Sequence, residues 1–588
     1  MNTNEDKLIA RLFKDTLIIF LLSMIAEKAG TLIDGIITGK FLGTEAIAAF
    51  GLTMPYQNFT AMFACVMALG MQILCGKTLG AGKLREANGI FSLALTAAGG
   101  SAILLSCGTF IFPGQIIDLL GDSTQHDEIR AQAIDFLQAY SFALPPLALT
   151  AIFTPIMQLD NDRRRAVISV IVMSVCNVAG DLINIFVLDG GLFGMGIATA
   201  ISYWISSSFL YLHFLKPESN FKFTLEAADV KFFREIFLVG SPVIMVNLSL
   251  VLRKNIFNRL ALNLTGGTGL AAYTILCNFS ALLETFTEAL ISTVQMIAVI
   301  FIGERDGNSI RKLLNVAFRL TLTVTPIITV ISFVAAPFIA EIYTRNDPET
   351  YLQAVEAIRW FAPGLPLYTF ALTFNRFYMA YGRFRLVSFL SVWNILLFSV
   401  PTAYVLSNFF GIHALWYTLF LNQAAYVLMI FFVTCLHCGR ITFRLEDYLL
   451  LPEDFDVPET DRLDITVTNK AEVLGLSERA QNFCTNHGID ERRSMFAGIC
   501  IEEMAGNIVD YGFGDGKNHF VDVRVLVKDS QIIIRMRDDC RSFDPRKWAE
   551  IYNPEDPTAH IGIRLVKKIS TEFNYVNVLK LNNLIVKL

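Results

Sequence analysis

Charge is what this chain has least of. Lys and Arg number 48 and Asp and Glu 53 among 588 residues, 17% of the whole, whereas 54% is hydrophobic and Phe alone occurs 48 times. A soluble fold of this size has no interior large enough for so much apolar surface, which excludes a purely soluble protein and implies a polytopic membrane protein. The net charge of −5 adds nothing, because both signs lie outside the apolar runs. The 10 Cys are scattered, with Cys65, Cys107, Cys176 and Cys277 inside apolar runs, so no disulfide framework is expected. Cys435 and Cys438 form a lone CxxC, a weak zinc signal without a second pair. No cleavage motif follows the polar opening MNTNEDKLIARLFKD, so the first apolar run is expected to stay as a helix. No GxxxxGK[ST] loop occurs, which argues against an ATP-driven pump.

Apolar runs of about twenty residues, enough to cross a bilayer, fill the first three quarters. They predict helices near 15–38, 46–71, 88–112, 133–157, 166–187 and 192–214. A second set follows near 236–262, 270–300, 314–340, 354–379, 386–407 and 411–436. Alternate loops are basic: Lys77 to Arg85, Arg163-Arg164-Arg165, Lys216 to Arg234, Arg305 to Lys312, and Arg383 with Arg385. Basic loops stay on the cytoplasmic side, and an even number of spans puts both termini there too.

An internal repeat organises these spans. The stretch Thr31 to Pro55, TLIDGIITGKFLGTEAIAAFGLTMP, returns about 224 residues later as NIFNRLALNLTGGTGLAAYTIL, Asn255 to Leu276. Gly43-Thr44 then falls on Gly267-Thr268, and Asp34 on Asn258. Repeats of this kind build transporters. A charge at membrane depth is costly and usually works in a cavity, so Asp34 is the first candidate. Asn177 and Asp181 lie four apart on one face of the fifth span, and Glu27 sits two turns before Asp34, beside Lys28. Three carboxylates and an amide in one half suit either proton exchange or Na⁺ coordination. In the second half, Arg253-Lys254 and the pair Glu284 and Glu288 are expected either to pair across a helical hairpin or to touch substrate.

Past Arg440 the spanning runs stop. Residues 441–459 read as a linker around Pro452 and Pro458, and residues 460–588 as one soluble α+β unit. Strand alternation marks 520–527, 531–537 and 583–588. Glu503, Asn507 and Tyr511 are spaced to share a helical face, where a carboxylate and an amide can hold Mg²⁺ and a water against a phosphate. Gly562 opens a later helix whose N-terminal amides suit phosphate.

The runs IDGIITGKFLGTEAIAAFGLTMP (33–55), ALGMQILCGKTLGAGKLREA (68–87) and the stretch from Met157 through VCNVAGDLINIF resemble the multidrug and toxic compound extrusion (MATE) transporters over residues 1–440. The resemblance implies about 12 transmembrane helices in two six-helix lobes, residues 1–220 and 221–440, around a cleft open alternately to either side. It implies export of organic cations or other xenobiotics against H⁺ or Na⁺, with Asp34, Asn177 and Asp181 as the cation-linked network. Some members carry a coupling carboxylate in the seventh helix, where this chain has Arg253-Lys254, and that assigns coupling to the first lobe. Residues 460–588 resemble the GHKL ATP-binding fold, nearest the anti-sigma-factor serine kinases, and so imply a cytoplasmic α+β sandwich binding Mg-ATP. Glu503 would then be the catalytic residue, as base or as the group that orients water, Asn507 the magnesium ligand, Asp538 the adenine acceptor and Gly562 part of the phosphate box. Two positions depart from that pattern, Cys540 and Arg564, where glycines are usual. Two rival functions share these features: a flippase of lipid-linked substrates, and a membrane receptor signalling to a protein partner through a kinase-like domain.

Overall fold

The computed structural model describes residues 4–37, 41–120, 127–216, 219–224, 229–344, 347–452, 455–514, 519–528, 530–550 and 561–588. The first half contains α1 (Asn4–Ile37), α2 (Gly43–Gly80), α3 (Leu84–Ile111), α4 (Pro113–Leu120), α5 (Asp127–Ser141), α6 (Leu144–Leu159), α7 (Arg163–Ile183) and α8 (Gly191–Tyr211). The second contains α9 (Val230–Gly240), α10 (Pro242–Thr265), α11 (Gly267–Gly303), α12 (Gly307–Thr344), α13 (Pro348–Phe361), α14 (Leu365–Tyr381), α15 (Phe384–Val392), α16 (Ser399–Phe410) and α17 (His413–Cys438).

Each of the twelve expected spans falls on helix. Among the described residues, eight helices are long and apolar enough to cross a membrane, and the bent pair α5–α6 makes a ninth. The expected number of twelve is therefore not reached by length and composition. α8 is diluted by Ser202, Ser206, Ser207 and Ser208. α13 and α14 are 14 and 17 residues long, separated by a 3₁₀ turn at Ala362–Gly364. In α1, part of the stretch around Asp34 lies outside the residues whose side chains are described.

The repeat is visible as geometry. α2 and α11 start at the aligned Gly43 and Gly267 and end at Gly80 and Gly303. They cross at those last glycines. A Cβ on Gly80 would overlap the Ile300 carbonyl, and one on Gly303 would overlap that of Lys77, a reciprocal contact between the two halves. Lys77 Nζ also donates to the Tyr381 carbonyl at the end of α14, 2.7 Å away. One end of the interface between the halves is thus shut backbone to backbone. Gly303→Ala is expected to cost about 1–3 kcal/mol by overpacking, seen as a lower unfolding midpoint of the purified protein.

The remaining elements are β1 (Arg462–Val467), α18 (Lys470–Asn486), α19 (Glu491–Asn507), β2 (Val521–Lys528), β3 (Gln531–Asp538), α20 (Pro545–Glu550), α21 (Ile561–Ile569), β4 (Glu572–Val578) and β5 (Leu581–Lys587). The strands form one antiparallel sheet in the order β1-β2-β3-β5-β4. Three of them fall where alternation predicted. β1 and β4 were not expected from the sequence, β4 because its run EFNYVNV breaks the apolar pattern with two Asn.

Alternation assigns the sheet two faces, as a period of two must. Val521, Val523, Val525, Ile534, Met536 and Val586 share a core with α18, α19 and α21. The opposite face carries Asp522, Arg524, Arg535, Arg537 and Asn583, all buried, because it lies against the loop joining α11 to α12. There Asp306, fully buried, meets Arg524 Nη1 at 3.0 Å and Arg535 Nη1 at 2.6 Å. Glu304 meets Arg535 at 3.2 Å, pairs with Arg537, and accepts from Asn583 Nδ2 at 2.8 Å. The β4–β5 hairpin reaches further. Val576, Val578, Leu579 and Leu581 belong to the same apolar core as α2 and α11 and lie beside Leu79, Ile300 and Phe301 at the crossing of those helices.

Candidate functional site

Two places gather the candidate residues. In the first half, α7 packs on α1 and α8, with Gly30 of α1 against Ser174 of α7 and Gly180 of α7 against Ala198 of α8. Larger residues at these glycines would push the helices apart. Asp181 is 1% exposed, and Asn177 Nδ2 lies 3.5 Å from its Oδ2, as the i,i+4 spacing requires. Ser202 of α8 donates to Asn177 Oδ1 at 3.4 Å. Glu27 lies on α1 with an exposed side chain. The backbone of Asp34 is helical within α1, but its side chain lies outside the described residues. Just past Asp181, α7 ends in a π-helical turn, Asn184–Leu188, and a second occurs at Trp393–Phe398. Such turns gather at functional sites, and no periodicity in the sequence announced them.

The second-half charges meet across the α10–α11 hairpin only in part, through Arg253 and Glu284. Glu288 of α11 pairs with Arg376 of α14 at 3.5 Å instead. Arg253 of α10 and Lys28 of α1 are near enough to act electrostatically on Glu284, so the cluster spans both halves. Lys254 is exposed on α10. Arg376 was missed, although one cation in the apolar run LPLYTFALTFNRFYMAY is the signal for it.

The second place is a cavity of about 930 Å³ beside the sheet. Asn507 and Asp538 both line it, with Trp548 and Phe543 supplying aromatic faces. Glu503 and Gly562 are not among its lining residues. They pack on each other instead, the Glu503 carboxylate occupying the space that a Cβ on Gly562 would need. The expected shared face of Glu503, Asn507 and Tyr511 holds in part: Asn507 and Tyr511 line the cavity and Glu503 does not. α19 ends at Asn507 and continues as a π turn, Ile508–Gly512, whose wider pitch breaks the i,i+4 register. Tyr511 nevertheless lines the cavity.

Asp538 Oδ1 accepts from Cys540 N at 2.9 Å and Asn582 Nδ2 at 2.7 Å. Burial pushes its carboxyl up to about 6, against the pull of these hydrogen bonds. Tyr575 donates to Asn582 Oδ1 at 2.6 Å. Between pH about 4 and 6 the folded domain holds a proton on Asp538 that the unfolded chain releases, so this group's contribution to stability is present in acid and lost as pH rises through 6. An amino donor on a ligand needs the ionised carboxylate. For a ligand that donates an N–H to this carboxylate, affinity is therefore expected to fall as pH drops through 6, and the pH profile to flatten in Asp538→Asn, measured by equilibrium titration.

The MatE family model matches residues 20–183 and 242–405, once in each half. The probable multidrug resistance protein YoeA of Bacillus subtilis is 22% identical over 407 residues, 67% of this chain and 86% of that protein. The multidrug export protein MepA of Staphylococcus haemolyticus is 22% identical over 437 residues, 72% and 93% of the two chains. The crystal structure of the Vibrio cholerae MATE transporter VcmN in its bent form superposes with a TM-score of 0.67 at 18% identity, covering 73% of this chain and 96% of that one. A MOP-superfamily transporter of Pyrococcus furiosus, described as having a binding pocket of reverse polarity, gives 0.65 at 20% identity, covering 73% and 96%. With the repeat, the paired helices and a family match in both halves, this chain belongs to the MatE family of multidrug efflux transporters.

Proposed function

We propose that this chain is a secondary antiporter that exports organic cations or other xenobiotics in exchange for H⁺ or Na⁺. The observation that carries this reading is the buried Asp181 held beside Asn177, on a helix packed against the one that carries Asp34 and Glu27. A carboxylate enclosed in a low-dielectric helical lobe is costly unless it takes up a cation, and taking one up is what coupling requires. Relatives named for multidrug resistance and export support the substrate class. Both termini and the C-terminal unit are read as cytoplasmic, a reading that the basic alternate loops support. That unit is read as a GHKL-type domain that binds Mg-ATP, with Asn507 as the magnesium ligand, Asp538 as the adenine acceptor and Glu503 as the residue to test for catalysis. The convergence of Asn507 and Asp538 on one cavity supports it.

The deciding measurement is export of a fluorescent organic cation from proteoliposomes under an imposed H⁺ or Na⁺ gradient, with and without ATP. Export driven by one gradient names the ion. A second reading, transport of an anionic amphiphile such as a lipid-linked sugar, draws on Lys28, Arg253 and Arg376 around Glu284 and Glu288. No cation export with retained movement of an anionic lipid probe would favour that reading.

A further inference from the structure

The cavity that holds Asn507 and Asp538 is not built by the soluble unit alone. Its other wall is the α6–α7 loop, Asp160 to Asp162, with Lys216 and Asn220 beyond α8. We propose that the first half of the transporter completes the nucleotide site, so that an adenine nucleotide bound there fastens the soluble domain across both halves and holds the end of the interface at Gly80 and Gly303 shut. This rests on the reading of the domain as an ATP binder.

The wall is built, not incidental. His213 joins its two carboxylates, with Nε2 2.7 Å from Asp160 and Nδ1 2.9 Å from Asp162. Ser219 donates to Asp160 at 2.7 Å, as does Asn220 Nδ2. Asp162 accepts from Arg165 at 3.0 Å and from Lys216 Nζ at 2.8 Å. Lys216 keeps 42% of its side chain exposed, and it is the cation on this wall able to meet a phosphate.

A line of hydrogen bonds then runs from this wall to the adenine acceptor. Asn161, at a positive φ of 63°, donates to the Asn577 carbonyl at 2.7 Å, and Asn220 does so at 3.0 Å. Asn577 Nδ2 donates to Asn582 Oδ1 at 2.6 Å, and Asn582 Nδ2 donates to Asp538 at 2.7 Å. Asn161 also accepts from the Lys580 amide, at the tip of the β4–β5 hairpin. That same hairpin presses Leu579 and Leu581 onto the ends of α2 and α11, while Glu304 and Asp306 hold the sheet to the second half. A ligand touching both walls binds tightly only when they are together, so by linkage it stabilises the docked, shut arrangement and slows transport.

The test uses the full-length protein in lipid nanodiscs with MgATP as the probe. Hydrogen exchange at residues 158–166 is expected to slow on adding MgATP. Lys216→Ala and Asn161→Ala are expected to weaken binding about tenfold, the loss of one charge-assisted or clasping contact, and Asn507→Ala to abolish it. MgATP binding unchanged in Lys216→Ala and Asn161→Ala, with exchange altered only within residues 500–545, would overturn the shared site and leave the nucleotide reading standing. If the wild-type protein binds no MgATP, both fall. Lys216→Arg, which keeps the charge, should bind as wild type, and a tenfold loss there would also count against the assignment.

Discussion

Asp306→Ala is expected to detach the C-terminal sheet and its helices from the transporter at a cost of about 3–5 kcal/mol, the penalty for removing one partner of a buried ion cluster. The magnitude follows from what is left behind. Arg535 and Arg537 are 6% and 1% exposed and Arg524 5%, and with Asp306 gone the carboxylates left to balance them among the described residues are Glu304, Asp522 and Asp464. Burial opposes ionisation of Asp306, yet the three guanidinium groups more than offset it and hold the carboxyl well below the ordinary range. A carboxyl so depressed contributes stability above the unfolded value near 4, and that contribution is lost as pH falls below it. Docking in the wild type should therefore weaken in strong acid, whereas docking in Asp306→Ala should be weak throughout. Limited proteolysis within residues 441–459 measures this directly. Lys312→Ala, which removes a 3.7 Å pair with Asp6, is the control and should change little, since such partly solvated pairs are worth about 0–1 kcal/mol. Equal cleavage rates for wild type and Asp306→Ala would show that the cluster does not hold the domain.

The second large effect is on transport. Asp34→Asn and Asp181→Asn should each reduce gradient-driven export to the level of protein-free vesicles while leaving the protein folded, because the amide keeps the volume of the carboxylate and removes only its charge. At Asp181 the amide still faces Asn177 in a site closed to water. Ser202→Ala removes a 3.4 Å hydrogen bond to Asn177 and should lower the rate only a few-fold, in line with about 1 kcal/mol for one neutral hydrogen bond. Export by a well-expressed Asp181→Asn protein, at the wild-type rate and with the same ion dependence, would remove Asp181 from the coupling network.

Much of this was legible because it is local. Apolar length, basic loops and the Gly43-Thr44/Gly267-Thr268 echo are properties of contiguous sequence, and they placed the helices and the two halves. The i,i+4 pair Asn177 and Asp181 was legible for the same reason. What depends on which elements become neighbours was not. Glu288 was set against Arg253 and Lys254 by chain proximity, but α14 brings Arg376 to it instead. QIIIRMR reads as a strand, but alternation does not say that its polar face is dry, with Arg535 and Arg537 pointing at an acidic loop some 230 residues earlier. Asp306 itself was hidden within a stretch noted for its basic residues, Arg305 to Lys312, and Glu304 just before it. The π turn after Asn507 was not legible for a further reason: no periodicity encodes an extra residue in a helical turn.

The β4–β5 hairpin also bears on how the chain can be divided. Excised at the linker, the C-terminal unit would present Val576, Val578, Leu579 and Leu581 to water as one contiguous greasy patch, alongside Arg537 parted from Glu304 and Asp306 and Arg535 left with Asp522. The transporter left behind would bare Leu79, Ile300 and Phe301 around the carboxylates of Glu304 and Asp306. Neither fragment is finished without the other, so the two must mature together, and a ribosome that has made only the membrane part has made a protein with an open wound where α2 and α11 end.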